Sequence, residues 1–188
     1  MTSPLLFLGV DIAYARATAA GVCIYRDHEI DKMVRWGHKI WYPPVHIPNV
    51  TACVENLLET QRVGGIFYDP AQWVGEVQRL ISRGYEGVLN EINQQTMMVE
   101  IGNNLSSHMQ RGDFVYYSDP EMRGQYSWCN AEATERGYRI VKRKQTKQID
   151  SVVAEAMALW GCTTDMSMSS STGYDQEQHE VPLEELVV

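Results

Sequence analysis

Three aspartates stand where the chain would hold their side chains rigidly at one edge of a sheet. Asp11 follows the apolar run 5–10, Asp69 follows the apolar run 66–68, and Asp150 begins an apolar helical segment. Active sites of open α/β sheets collect beyond the carboxyl ends of strands. Three clustered carboxylates repel one another unless cations neutralise them, and oxygen ligands are typical of Mg²⁺ or Mn²⁺. The pattern predicts a site that binds two divalent cations and hydrolyses a phosphodiester.

Two of the three aspartates also have a simpler interpretation. Asp69 precedes a proline and Asp150 precedes a helix, and both positions are typical of helix N-termini. Asp11 lacks this explanation, because apolar residues flank it inside a strand. The functional interpretation therefore depends on all three residues meeting in the fold.

A basic segment runs directly towards Asp150. Residues 136–147 contain six basic side chains and no acidic one. Such a run is often a solvated face, but Lys and Arg also bind the phosphates of a polyanion without reading its sequence. The residues predicted to contact nucleic acid are Arg139, Lys142, Arg143, Lys144 and Lys147.

The acidic net charge of the chain does not exclude a nucleic-acid partner. The 188 residues carry a charge of −8, but six acids and no Lys or Arg lie after Thr163, which leaves 18 acids and 16 bases. The composition predicts a folded domain over 1–162 and an acidic, low-complexity, flexible tail over 163–188. No apolar run approaches the roughly 20 residues of a membrane-spanning helix, and the N-terminal apolar run 5–10 is expected to be a buried strand rather than a signal peptide.

The order of elements predicts an α/β fold with a mixed central sheet, an antiparallel hairpin and helices on both faces. This is the order of an RNase H-like sheet. Asn49 is expected to cap the first helix, and a later helix starting at Asp119-Pro120 is expected to bury Cys129 and Ala133. The predicted strands are 5–10, 18–25, 33–42, 66–68, 87–89, 114–117 and 138–144, and the other predicted helices include 71–82, 98–109 and 150–160.

The chain resembles the nuclease domain of tailed-bacteriophage terminase large subunits over about residues 5–161. The matching motifs are Leu8-Gly9-Val10-Asp11, Phe67-Tyr68-Asp69-Pro70, Asn93-Gln94-Gln95, Arg111-Gly112, Asn130-Ala131 and the stretch from Val141 to Asp150. The resemblance implies an RNase H-like endonuclease that cleaves concatemeric double-stranded DNA, with Asp11, Asp69 and Asp150 as metal ligands. It implies the terminase ATPase domain, the small terminase subunit and the portal protein as partners, in the host cytoplasm during phage assembly.

Some features depart from the family pattern or leave alternatives open. The acid that many members carry shortly after the first aspartate is missing, so Glu91 and, less favourably placed, Glu155 are candidates for a fourth ligand. No GxxxxGK[ST] phosphate loop is present, so the packaging ATPase is absent from this chain. The alternatives are a Holliday-junction resolvase of the same fold and a non-catalytic docking module of the packaging motor.

Overall fold

The central sheet has six strands and a mixed arrangement. The computed structural model describes residues 3–13, 18–144 and 146–164. The strand order across the sheet is β5-β4-β1-β2-β3-β6, and the strands are β1 (Leu6–Ile12), β2 (Ala19–Asp27), β3 (Lys32–Trp41), β4 (Val63–Tyr68), β5 (Leu89–Glu91) and β6 (Phe114–Val115). Pairing is antiparallel for β1-β2 and β2-β3 and parallel for the remaining neighbours. The predicted mixed sheet with its antiparallel hairpin is therefore confirmed.

Helices cover both faces of this sheet, as predicted. The five helices of the described residues are α1 (Ile47–Thr60), α2 (Val74–Ser82), α3 (Gln94–Arg111), α4 (Pro120–Ser127) and α5 (Asp150–Thr164). One core layer joins α3, α4 and α5 to one face of the sheet, and the other joins α1 and α2 to the opposite face. No described helix combines the length and the apolar character needed to cross a bilayer.

The last helix, α5, is the most deeply buried element. All of its residues from Asp150 to Leu159 are buried, because it crosses β1 and β2 with apolar side chains on every face. It ends at Thr164, two residues beyond the boundary predicted at 162, and residues 165–188 of the predicted tail lie outside the described residues.

The region after α4 differs from the prediction. The expected helix through Ala133 ends at Ser127, and β7 (Cys129–Thr134) and β8 (Gly137–Lys142) then form a separate two-stranded hairpin. Its turn contains Gly137 at φ 130°, a backbone angle that favours glycine. The apolar spacing of Cys129 and Ala133 is compatible with a helix, but these side chains lie on the hairpin and Ala133 is exposed.

The start of α1 was also predicted wrongly. The cap position is His46 rather than Asn49, and helix residues begin at Ile47 with Pro48 in the first turn. A proline is compatible with the first turn, because backbone amides there have no partner within the helix.

Candidate active site

The fold brings Asp11, Asp69 and Asp150 to one edge of the sheet. β1 and β4 run parallel with Val10 opposite Tyr68, so Asp11 and Asp69 follow side by side. α5 packs across β1 and places Asp150 at the same edge, where the Thr18 hydroxyl donates a hydrogen bond to Asp150 Oδ2. The three residues thus lie at one edge of the sheet although they are far apart in the chain.

A glycine in β1 permits this approach of α5. A Cβ atom added to Gly9 would lie 1.9 Å from the carbonyl oxygen of Ala154 and 2.9 Å from the backbone nitrogen of Ala158. Both backbones are held by their own packing, so a larger residue would push the helix away from the strand. Gly9 therefore helps to set the distance between Asp11 and Asp150.

The carboxyl of Asp11 is influenced by both other aspartates of the site. It is 8% exposed, and burial is the largest of the influences that raise the pKa of its carboxyl to about 7. The negative charges of Asp150 and Asp69 act in the same direction. A hydrogen bond from Gln94 Nε2 to Asp11 Oδ1, 2.8 Å long, and the positive charge of Lys142 act against it. The charges of both other aspartates thus act on the carboxyl of Asp11.

Asp150 is buried and oriented by two neighbours. It is 3% exposed, and burial raises the pKa of its carboxyl. The hydrogen bond from Thr18 and the charge of Lys142 partly offset this effect. The positive charge of Lys142 thus acts on both Asp11 and Asp150.

Asp69 caps the short 3₁₀ turn 70–72 while facing the cluster. Its Oδ1 accepts a 2.8 Å hydrogen bond from the backbone amide of Ala71, so the capping interpretation is confirmed. A carboxylate has two oxygens, and this contact uses one. Capping and metal binding are thus compatible at this residue.

The described residues differ in how closely their metal-ligating side chains are spaced. Among the described residues, the only group of three metal-ligating side chains whose donor atoms all lie within 4.8 Å of one another is His38, Asp119 and Glu121. The donor atoms of Asp11, Asp69 and Asp150 do not all lie within that distance of one another.

The predicted basic residues divide into two groups. Lys142 is half-buried, acts electrostatically on Asp11 and Asp150, and donates a 2.8 Å hydrogen bond to Gln148 Oε1. The other four are exposed on β8 or on the segment after it, with Arg143 bonded to the hairpin and Lys147 placed 4.5 Å from the centre of the Trp128 ring. These four, Arg139, Arg143, Lys144 and Lys147, form the basic surface.

The two glutamates proposed as a fourth ligand lie in different environments. Glu91 is exposed at the end of the edge strand β5, opposite Tyr68, and its role as a ligand stays a prediction. Glu155 is fully buried, pairs with Arg35 of β3 and accepts a hydrogen bond from the Tyr126 hydroxyl. Its carboxylate belongs to a core ion pair.

Two residues of the site were not predicted as site residues from the sequence, although Gln94 lies within the Asn93-Gln94-Gln95 motif. Gln94 is the first residue of α3, set by the Asn93 cap, and Thr18 directly precedes β2. Their hydrogen bonds to Asp11 and Asp150 span 83 and 132 residues of sequence. No local pattern reports contacts over such separations.

Solved structures share this fold. The HK97 bacteriophage large terminase matches 84% of this chain with a TM-score of 0.71 and 16% identity. The large terminase nuclease of thermophilic phage G20c with bound magnesium matches 85% of the chain with a TM-score of 0.64 and 13% identity. The SPP1 large terminase nuclease domain with bound Mn matches 83% with a TM-score of 0.56. The chain has the RNase H-like fold of large-terminase nuclease domains.

The resemblance seen in the sequence is thus confirmed at the level of the fold. The chain spans 39% of the HK97 large terminase and 82% of the G20c nuclease. No protein-family model and no curated protein sequence matched the chain. The residues that would perform the chemistry are therefore argued from the geometry of this chain.

Proposed function

We propose that this chain is a divalent-metal-dependent endonuclease that cleaves concatemeric double-stranded DNA during viral genome packaging. The observation that carries the proposal is the placement of Asp11, Asp69 and Asp150 at one sheet edge, where both other aspartates act on Asp11. The similar G20c and SPP1 nuclease structures are described with bound magnesium and Mn, respectively. The proposed cofactors are two Mg²⁺ or Mn²⁺ ions.

The donor set fits such ions. Burying carboxylates is unfavourable, as the pKa values of Asp11 and Asp150 raised by burial indicate, and at Asp11 the negative charges of Asp150 and Asp69 add to this effect. Bound cations reverse this, because each added positive charge favours the ionised carboxylates. All three side chains offer oxygen, the donor that Mg²⁺ and Mn²⁺ prefer.

The side chains around the aspartates have separable roles. When bound, two divalent cations activate a water molecule and stabilise the attacking and leaving oxygens of the phosphodiester. Gln94 and Thr18 orient the carboxylates of Asp11 and Asp150 through their hydrogen bonds. Lys142 supplies a positive charge beside both carboxylates, where it also attracts the scissile phosphate.

The basic surface holds the duplex. Its four side chains are exposed on β8 and on the segment that leads to α5, which begins with Asp150. Lys and Arg on a solvated surface bind backbone phosphates, which positions DNA without reading base sequence. The proposed partners of the assembled machine are a terminase ATPase domain, a small terminase subunit and a portal protein.

Plasmid cleavage with Mg²⁺ or Mn²⁺ tests the activity. Asp69→Asn is the sharpest variant, because the asparagine oxygen still accepts the hydrogen bond from Ala71 while the charge is lost. We expect nicking and linearisation by the wild type and a loss of at least about 100-fold in the variant, since loss of even an outer partner of a metal ligand costs about 10–100-fold.

The matched control is Glu86→Gln, which removes an exposed carboxylate from the short turn that follows α2. Wild-type rates in Asp69→Asn would contradict the ligand assignment. Comparison of a four-way junction with a linear duplex separates the proposal from a junction resolvase, which would prefer the junction. Absence of cleavage with either metal would favour the docking module.

A further inference from the structure

A second group of metal-ligating side chains lies away from the aspartates. His38 is on β3, two strands from β1 in the sheet, while Asp119 and Glu121 lie at the start of α4. One donor atom from each of the three lies within 4.8 Å of the other two. The side chain of His38 is only 10% exposed, that of Asp119 is 24% exposed, and Glu121 faces solvent.

The spacing inside this group suits a bound ion better than a hydrogen bond. His38 Nε2 lies 3.5 Å from Asp119 Oδ1, beyond the usual range of an N–H···O hydrogen bond. Two ligands bound tetrahedrally to Zn²⁺ at about 2.1 Å each are roughly 3.4 Å apart. The imidazole and the carboxylate are therefore already separated by the distance that an ion between them requires.

Outer partners hold two of the three side chains in place. The Tyr117 hydroxyl lies 2.6 Å from His38 Nδ1, and the Tyr42 hydroxyl donates a 3.0 Å hydrogen bond to Glu121 Oε1. When Nδ1 donates to Tyr117, Nε2 presents its lone pair to the carboxylates. Hydrogen bonds of this kind orient the ligands of protein metal sites.

Asp119 is fixed by a different contact. Its Oδ1 accepts a 2.9 Å hydrogen bond from the backbone amide of Met122 and so caps α4. Each carboxylate oxygen has two lone pairs, so Oδ1 keeps one for an ion beside His38 Nε2, and the cap holds the side chain at the helix start.

We propose that His38, Asp119 and Glu121 bind one Zn²⁺ ion that fastens α4 to β3. One imidazole and two carboxylates match the zinc ligand set, whereas Mg²⁺ prefers oxygen ligands alone. Three protein ligands leave a fourth position for water.

The ion would act on the active site through α4. Gln125 of α4 accepts a 3.0 Å hydrogen bond from the backbone amide of Ser151, the residue after Asp150. Tyr126 of the same helix donates to Glu155 in the middle of α5. An ion that holds α4 therefore stabilises the contact of α4 with α5, the helix that begins with Asp150.

The test removes zinc binding by the aspartates before the new site is measured. In the full chain with Asp11→Asn and Asp150→Asn, zinc chloride alone is titrated by calorimetry and by thermal unfolding. We expect one equivalent of Zn²⁺ to bind and to raise the melting temperature, with no comparable rise from Mg²⁺. X-ray absorption at the zinc edge is expected to show one imidazole and otherwise oxygen ligands.

Substitutions in the same background assign the site. His38→Gln and Glu121→Gln are each expected to weaken zinc binding at least tenfold, while Glu132→Gln, at an exposed carboxylate of β7, leaves it unchanged. Glu121 is exposed, so its variant tests the site even if His38→Gln unfolds. No zinc binding in the background, sulfur ligation, or binding unaffected by Glu121→Gln would each overturn the proposal.

Discussion

The aspartate cluster and the β7–β8 hairpin serve one proposed reaction, but the first is buried and the second is exposed. Asp11 and Asp150 are 8% and 3% exposed and lie on elements packed into the core. The hairpin forms a separate two-stranded sheet with an exposed basic surface, held on α3 in part by hydrogen bonds between the Asn103 side chain and the turn. Burial fixes the geometry of the acids, whereas exposure leaves the bases open to the proposed contact with DNA.

This difference predicts the largest effects at Asp11. Asp11→Asn removes a proposed metal ligand while keeping an oxygen that accepts the hydrogen bond from Gln94. We expect plasmid cleavage to fall by at least about 100-fold, by the same reasoning as for other ligands. Circular dichroism should show a folded protein.

The same substitution is expected to stabilise the metal-free protein at high pH. The pKa of Asp11 is about 7 in the fold against 3.8 as its ordinary value, so between these values the folded state binds more protons than the unfolded one. Stability is therefore lost as the pH rises from about 4 to 7, by at most about 4 kcal/mol. Chemical denaturation in EDTA should find the variant more stable than wild type at pH 8 and not at pH 4. A variant less stable than wild type at pH 8 would contradict the raised pKa of Asp11.

A smaller effect on cleavage is expected from the residue that orients Asp11. Gln94→Ala removes the 2.8 Å hydrogen bond to Oδ1, whereas the neighbouring Gln95→Ala removes an exposed side chain of similar size. Loss of such an outer partner costs about 10–100-fold in metal affinity or activity. The dependence of cleavage rate on Mn²⁺ concentration should shift for Gln94→Ala alone. Equal curves for both variants would show that Gln94 does not position Asp11.

The smallest effect is expected from the hairpin, and it should depend on salt. Arg139→Gln with Lys144→Gln removes two exposed charges of the basic surface, while the control Arg79→Gln with Arg83→Gln removes two from α2 and its C-cap. Each lost phosphate contact lowers the slope of log affinity against log salt by about 0.9. Filter binding to linear duplex should show a slope lower by about 2 in the first pair only, with kcat unchanged. A reduced kcat without a changed slope would place these residues in catalysis.

The sequence predicts those parts of the fold whose signals are local. The apolar runs before Asp11 and Asp69, and the long helix ended by Gly112 at φ 69°, lie where the periodicity places them. The hairpin at Cys129–Lys142 was predicted wrongly in its first half, because the alternation of an exposed strand carries little apolar signal.

Some residues of the candidate site could likewise be predicted from the sequence, and others could not. Asp11, Asp69 and Asp150 could be predicted to meet because strand ends and a helix start converge in this sheet order. Gln94 and Thr18 could not be predicted, since their contacts depend on how α3 and β2 pack against distant elements. Likewise, the carboxylate of Glu155 meets Arg35 only through the packing of α5 on β3.

Crystals soaked in Mn²⁺ and measured at the manganese absorption edge test the central claim most directly. The account predicts two anomalous peaks about 4 Å apart, with Asp11, Asp69 and Asp150 as their protein ligands. A map with no peak within coordination distance of Asp11 would contradict it.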